Sequence, residues 1–233
     1  MRRLVDKLSD DGNRSSFVAG VWDVLPILTG IGPFAIIVGL TAVEFGFTPV
    51  EITVMSTIVF AGAAQLAAIA LMADGTPFLV VVLTAILINV RFSLYSFSLA
   101  PKFQSVSRVR KAVYSFLLVD ANYALSIPRF REDDNNRAHW YYFGSGTALW
   151  LVWILGTAIG AGIGIGIPDW FPAALILPLV FIALLFPLLT DRPSIATAIV
   201  AGGVAVVAAP LAYNLGLLVG VVAGIAVGVY LNR

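Results

Sequence analysis

The 233 residues contain no cysteine and one histidine, and only 12% are charged. Without cysteine there can be no disulfide, no thiolate metal site and no cysteine nucleophile. A single histidine, His139, read as lying in a polar connection with Arg137 and Trp140, leaves no H-E-x-x-H zinc motif, and there is no GxSxG elbow and no phosphate-binding loop with its lysine. The net charge of +1 gives no electrostatic footprint for nucleic acid. Neither an enzyme, nor a resident metal, nor a cofactor is expected from these residues.

What is abundant is apolar. Hydrophobic residues make up 60% of the chain and mean hydropathy is +0.96, whereas a soluble domain carries about 25% charge and 45–50% apolar residues. About 20 apolar helical residues cross a hydrocarbon core some 30 Å thick. Runs of that kind fall near 17–43, 52–72, 77–100, 112–128, 140–167, 171–190 and 194–231, the last long enough to be two helices broken near Pro210 and Asn214. They are continuously apolar, without the alternation of barrel strands. The expected fold is an all-α, multi-pass membrane protein of about 7–8 transmembrane helices. A polar extramembrane lead-in covers 1–16 and a single transmembrane domain covers 17–231.

Charge does not fit a simple count of crossings. The lead-in carries Arg2, Arg3, Lys7 and Arg14, and the 101–111 connection carries Lys102, Arg108, Arg110 and Lys111 with no acid. The positive-inside rule places both on the cytoplasmic side, yet three full crossings would put them on opposite sides. Either an early segment is broken or re-entrant, or the rule fails. Gly30-Ile31-Gly32-Pro33 and Ala61-Gly62-Ala63-Ala64-Gln65 are the two places where a helix could be interrupted. Many transporters are inverted repeats; a shift of 145 residues lays Pro33 on Pro178 and Ala63-Ala64 on Ala208-Ala209, at the level of an alignment to be tested.

An ionisable group in the bilayer costs at least about 2.5 kcal/mol without a partner or a task. Arg91 lies ten residues before Pro101 and Asp120 nine after Lys111, so both sit about 14 Å from a shared loop. In an antiparallel hairpin they are at equal depth and able to pair, as a structural staple or as a substrate site. Tyr95 shares a face with Arg91; Asn89, Asn122, Gln65 and the small residue Gly62 complete the candidate translocation site. Gly30, Gly32, Pro33 and Pro178 are candidate helix breaks or gates. Asp23 is a secondary candidate, read first as a cap near a helix N-terminus. Thr48-Pro49 reads as a helix start. The stripes Gly156, Gly160, Gly164 and Gly216, Gly220, Gly224, Gly228 read as close-packing faces, for this chain or for a partner.

Several of these residues resemble the AzlC family of branched-chain amino acid permeases. Phe60-Ala61-Gly62-Ala63-Ala64-Gln65, Asn89-Val90-Arg91 with Leu94-Tyr95, Asp23-Val24-Leu25-Pro26, Leu118-Val119-Asp120 and Pro178-Leu179-Val180-Phe181 are similar to that family's pattern. Two positions depart from it: Ala121 stands where a glutamate is common, and Phe92 where His or Tyr is common. The resemblance implies a cell-membrane exporter of small apolar amino acids, secondary active, working with a small AzlD-type membrane subunit. The competing expectation is a non-transporting membrane scaffold.

Overall fold

The computed structural model describes residues 2–104, 106–132, 136–165, 189–211 and 215–231, with Ile182 and Leu185. Among them there are helices and no strands: α1 (Arg2–Glu44), α2 (Pro49–Ile58), α3 (Gly62–Ala73), α4 (Phe78–Leu99), a 3-10 turn (Ala100–Phe103), α5 (Arg108–Phe116), α6 (Asp120–Glu132), α7 (Asn136–Gly164), α8 (Arg192–Val207) and α9 (Leu215–Leu231). Three stretches are long and apolar enough to cross a membrane, Gly12–Glu44, Phe78–Phe103 and Arg137–Gly164; α2, α3, α8 and α9 are shorter apolar helices. The expected α-helical membrane architecture is what is found.

The chain divides into two compact units. The first holds α1, α2, the C-terminal half of α4, and α5 to α7. Its spine is a parallel pair, α1 against α7, seated on glycine. A Cβ on Gly20 would strike the Tyr141 carbonyl, one on Gly144 the Phe17 carbonyl, one on Gly39 the Thr157 carbonyl and one on Gly160 the Ile36 carbonyl. Small residues let backbones approach to contact, and since both residue numbers rise together, the helices run the same way. The glycine stripe of α7 is therefore consumed within the chain. In the second unit, α8 and α9 pack antiparallel by the same means: Gly216 sits on Ala208, Gly220 on Ala201 and Ala205, and Gly228 near Thr197. The 194–231 run is indeed two helices, separated in the region of Pro210.

Against α7, the other elements of the first unit can be ranked by depth. At its N-terminal end the Phe103 ring lies 5.2 Å from His139 and 5.5 Å from Tyr142, Phe130 lies 5.4 Å from His139, and the Tyr142 hydroxyl donates to the Tyr114 carbonyl at 2.8 Å. Further along, Phe116 meets Trp150 at 5.8 Å. Thus α5 rises from the N-terminal end of α7 to about its middle, the backbone breaks at 117–119, and α6 returns to where α5 began. Neither 52–72 nor 112–128 is one continuous crossing. Each is a pair of half-length helices, broken at 59–61 and 117–119, and 112–128 turns back.

Four other expectations are corrected. The helix is unbroken at Gly30, Gly32 and Pro33: α1 continues through both Pro26 and Pro33. A proline within a packed membrane helix is tolerated because neighbours satisfy the freed backbone groups, and Thr29 donates back to the Pro26 carbonyl at 2.6 Å. Helical structure starts at Arg2, so Asp23 lies mid-helix and caps nothing. His139 is buried among rings rather than in a polar connection. The 145-residue shift would lay Gly62, the first residue of α3, on Val207, the last of α8. A shift of 58 does follow the elements: it carries Ile58 to Phe116, Gly62 to Asp120 and Phe78 to Asn136, ends onto ends and starts onto starts. Pro178 and the 171–190 run lie outside the described residues, apart from Ile182, Leu185, Leu189 and Thr190. Thr48, by contrast, caps α2 as expected, in a capping box with Glu51.

The return of α6 places the 3-10 turn beside the N-terminal end of α7, where Phe17 and Gly20 of α1 also lie. The lead-in and the 101–111 connection therefore share one end of this unit, and an even number of full crossings separates them. The charge conflict disappears. With a chain free of native thiols, Arg14→Cys and Gln104→Cys should react with an impermeant maleimide from one face of the membrane and Ile165→Cys, at the far end of α7, from the other; labelling of Arg14→Cys and Gln104→Cys from opposite faces would refute the placement. For the spine, Gly160→Ala should lower stability by about 1–3 kcal/mol through overpacking, read by thermal unfolding in detergent. Gly162→Ala, with open space around it, should not.

Candidate functional site

The two backbone breaks meet on α7. At the first, Val59–Ala61, the Thr57 carbonyl left over by the end of α2 accepts from the Trp150 indole N–H at 3.2 Å. At the second, the Leu117 carbonyl accepts from the Asn122 amide at 2.9 Å. Phe60, within the first interruption, and Phe116, the last residue before the second, are 6.3 Å apart. Irregular backbone at membrane depth is tolerated only when buried in protein or lining a cavity, and here each interruption has a side chain that satisfies it. Asn122 is fully buried; its amide also donates to the Tyr142 carbonyl at 3.3 Å and its oxygen accepts from Ser145 at 2.6 Å. Gly146 leaves the room it needs, since a Cβ there would be 2.6 Å from the Asn122 nitrogen.

The second break delivers Asp120 to the first turn of α6, where the helix N-terminus favours a carboxylate. Facing it, α4 presents a row at helical spacing. The Arg91 guanidinium is 3.1 Å from Asp120 Oδ2, the Tyr95 hydroxyl donates to Oδ1 at 2.9 Å, Tyr95 stacks on Tyr123 at 4.4 Å, and the Tyr123 hydroxyl donates to Ser98 at 3.0 Å. Arg91 also rides over Phe92, 5.3 Å from its ring. The side chains of Arg91 and Asp120 remain 39% and 46% exposed. The pair is thus made but left open on one side. Among the described residues, Arg91 Nε is buried with no hydrogen-bond partner, as is Asn89 Oδ1 two residues earlier on α4; the ion pair thus keeps one unused donor.

Residues 26–167 match the family described as AzlC protein. The chain belongs to the AzlC family. It is similar to the inner membrane protein YgaZ of Escherichia coli (strain K12), 30% identical over 200 residues that cover 83% of this chain and 82% of that one. An uncharacterized membrane protein of Archaeoglobus fulgidus is 30% identical over 197 residues, 82% of this chain and 84% of its own. No solved structure matches. The matched region of this AzlC-family chain contains the broken helices, the ion pair and most of the α1–α7 spine.

Of the residues named from sequence, Arg91, Tyr95 and Asp120 come together, with Asn89 two residues before Arg91 on α4. Asn122 is one turn into α6 but faces α7, holding the break closed. Gly62 offers no room for a ligand, because Phe34 and Trp153 already occupy the position of its missing Cβ at 2.8 Å. Gln65 is fully buried on α3, in the second unit. Asp23 pairs with Arg129 at 3.3 Å and accepts from the Tyr141 hydroxyl at 2.9 Å. Sequence reading missed Arg129, which it left just outside the 112–128 run, and Trp150, whose ring was hidden in an apolar stretch.

A half-exposed ion pair contributes about 1 kcal/mol or less, while a charge left within a membrane-spanning unit without its partner costs more. Arg91→Ala should therefore destabilise the chain more than Arg91→Ala combined with Asp120→Ala, with a coupling of roughly 1 kcal/mol in a double-mutant cycle. Thermal unfolding of the four proteins in detergent measures it; purely additive effects would mean the two side chains do not interact.

Proposed function

We propose that this AzlC-family protein is a multi-pass cell-membrane exporter of small apolar amino acids of the branched-chain kind, secondary active and paired with a small AzlD-type membrane subunit. The observation that carries the reading is the open Arg91–Tyr95–Asp120 constellation at the convergence of two helix breaks. Transporters characteristically bind substrate where interrupted helices meet, and intramembrane charges mark substrate pathways. A zwitterion suits the chemistry on both counts. Its carboxylate is a partner for the Arg91 guanidinium, including the unused Nε–H, and its ammonium for Asp120. The substrate would exchange protein–protein pairing for protein–ligand pairing of the same kind, so release costs little. Phe92 and Leu94 flank the arginine and supply apolar surface.

A scaffold whose glycine faces dock a partner is less well supported, because Gly156, Gly160, Gly216, Gly220 and Gly224 are already filled by contacts within the chain. The test is flux of labelled valine and leucine in proteoliposomes, with and without the small subunit. Arg91→Gln and Asp120→Asn should each reduce export at least about tenfold at equal membrane abundance, the equivalent of about 1.4 kcal/mol. Undiminished export by both variants removes the pair from the mechanism, and no flux under any condition removes the transporter.

A further inference from the structure

The helix α6 is clamped at both ends by the same chemistry. At its start Asp120 takes a guanidinium and a tyrosine hydroxyl from α4. At its end Arg129 reaches Asp23 of α1 at 3.3 Å, lies 5.0 Å from the Tyr141 ring of α7, and Tyr141 donates to Asp23 at 2.9 Å. Each clamp is one arginine, one aspartate and one tyrosine.

Between the clamps runs a buried polar seam. Asn122 and Ser126 of α6 and Ser145 of α7 are fully buried, and both serine hydroxyls reach the Asn122 oxygen, at 3.4 and 2.6 Å. Asn122 closes the 117–119 break, but Ser126 is not needed for that and adds a further buried polar group, which must find a partner to break even. Beyond the second clamp, on the lead-in side, is a cavity of about 240 Å³ lined by Ser15, Ser16, Ala19, Arg129, Arg137 and Tyr141. The seam thus lines the α7 side of the helix whose inner end carries Asp120, and at its lead-in end Asp23, Arg129 and Tyr141 stand between it and a polar vestibule.

Two features suit this clamp to breaking. Arg129 and Asp23 are each nearly half exposed, and a pair in that setting adds little net stability. Pro128 lies inside α6, one residue before Arg129. Proline deletes a backbone hydrogen bond and loosens the helix there, so the last turn can swing without unwinding the turns that hold Asn122 and Ser126.

We propose that Asp23, Arg129 and Tyr141 form the gate on the lead-in side of the path to Arg91 and Asp120, with the end of α6 as the moving part, hinged at Pro128. The idea rests on the transport reading for its purpose, but its test needs no substrate. Ser126→Cys, in a chain with no other thiol, should be protected from an impermeant thiol reagent. Adding Asp23→Asn or Arg129→Gln should raise its labelling from the lead-in side at least about tenfold, and the charge-swapped pair Asp23→Arg with Arg129→Asp should restore protection. Val38→Cys, buried on α1 fifteen residues beyond Asp23, should stay protected throughout. Ser145→Cys is the second reporter if Ser126→Cys does not accumulate. Labelling that does not respond to the gate variants overturns the gate, and so does equal exposure of Val38→Cys, which would mark general loosening. Absent flux together with gated labelling would sink the transport reading alone.

Discussion

A backbone carbonyl or amide inside a hydrocarbon layer has no water to turn to, and that constraint governs the first unit. A chain that interrupts its helices at 59–61 and again at 117–119 must supply substitutes for the lost bonds at both places. Trp150 and Asn122 supply them. Each does so from or against α7, so the straight helix becomes the reference on which both broken ones are set. Remove that arrangement and Asp120 has neither its depth nor its partner.

The seating of α7 comes in turn from glycine. Four positions on α1 and α7 place a Cα directly against a carbonyl of the other helix, a separation that no side chain would permit. In lipid there is no hydrophobic drive to bring helices together, and close packing has to do it. The spine thus holds by contact over its length, while α5 and α6 are attached by rings, hydroxyls and half-exposed charges. Backbone contact and polar side-chain contact are assigned to different helices within one unit.

Much of this could be read before any coordinates. Hydropathy identified the membrane class, the length of 194–231 demanded two helices, and equal distances of Arg91 and Asp120 from their loop brought the two charges together. The conflict between basic residues and crossing number correctly signalled a segment that does not cross. One of the two places named for an interruption, Ala61-Gly62, does border the break at 59–61; the break at 117–119 was illegible for a physical reason, since Leu117-Leu118-Val119 contains neither glycine nor proline and an apolar stretch reads the same whether the chain continues or turns back. Pro33 misled in the opposite sense, because a packed neighbour can repair a proline. The role of Gly62 was misjudged since an absent side chain looks identical in sequence whether the space is empty or filled by Phe34 and Trp153. Asp23 found its partner 106 positions away, beyond the reach of local spacing.

The turned-back hairpin of α5 and α6 bears on how the chain is made. With Arg108, Arg110 and Lys111 at one end and Arg129 and Arg131 at the other, and only nine and thirteen residues per helix, neither half qualifies as a span for the insertion machinery. Emerging from the ribosome, the segment has no seat until α7, synthesised after it, offers Gly146 and Trp150. Pairing of Asp120 with its surroundings is then a late step of biogenesis, set by the order in which the helices are translated.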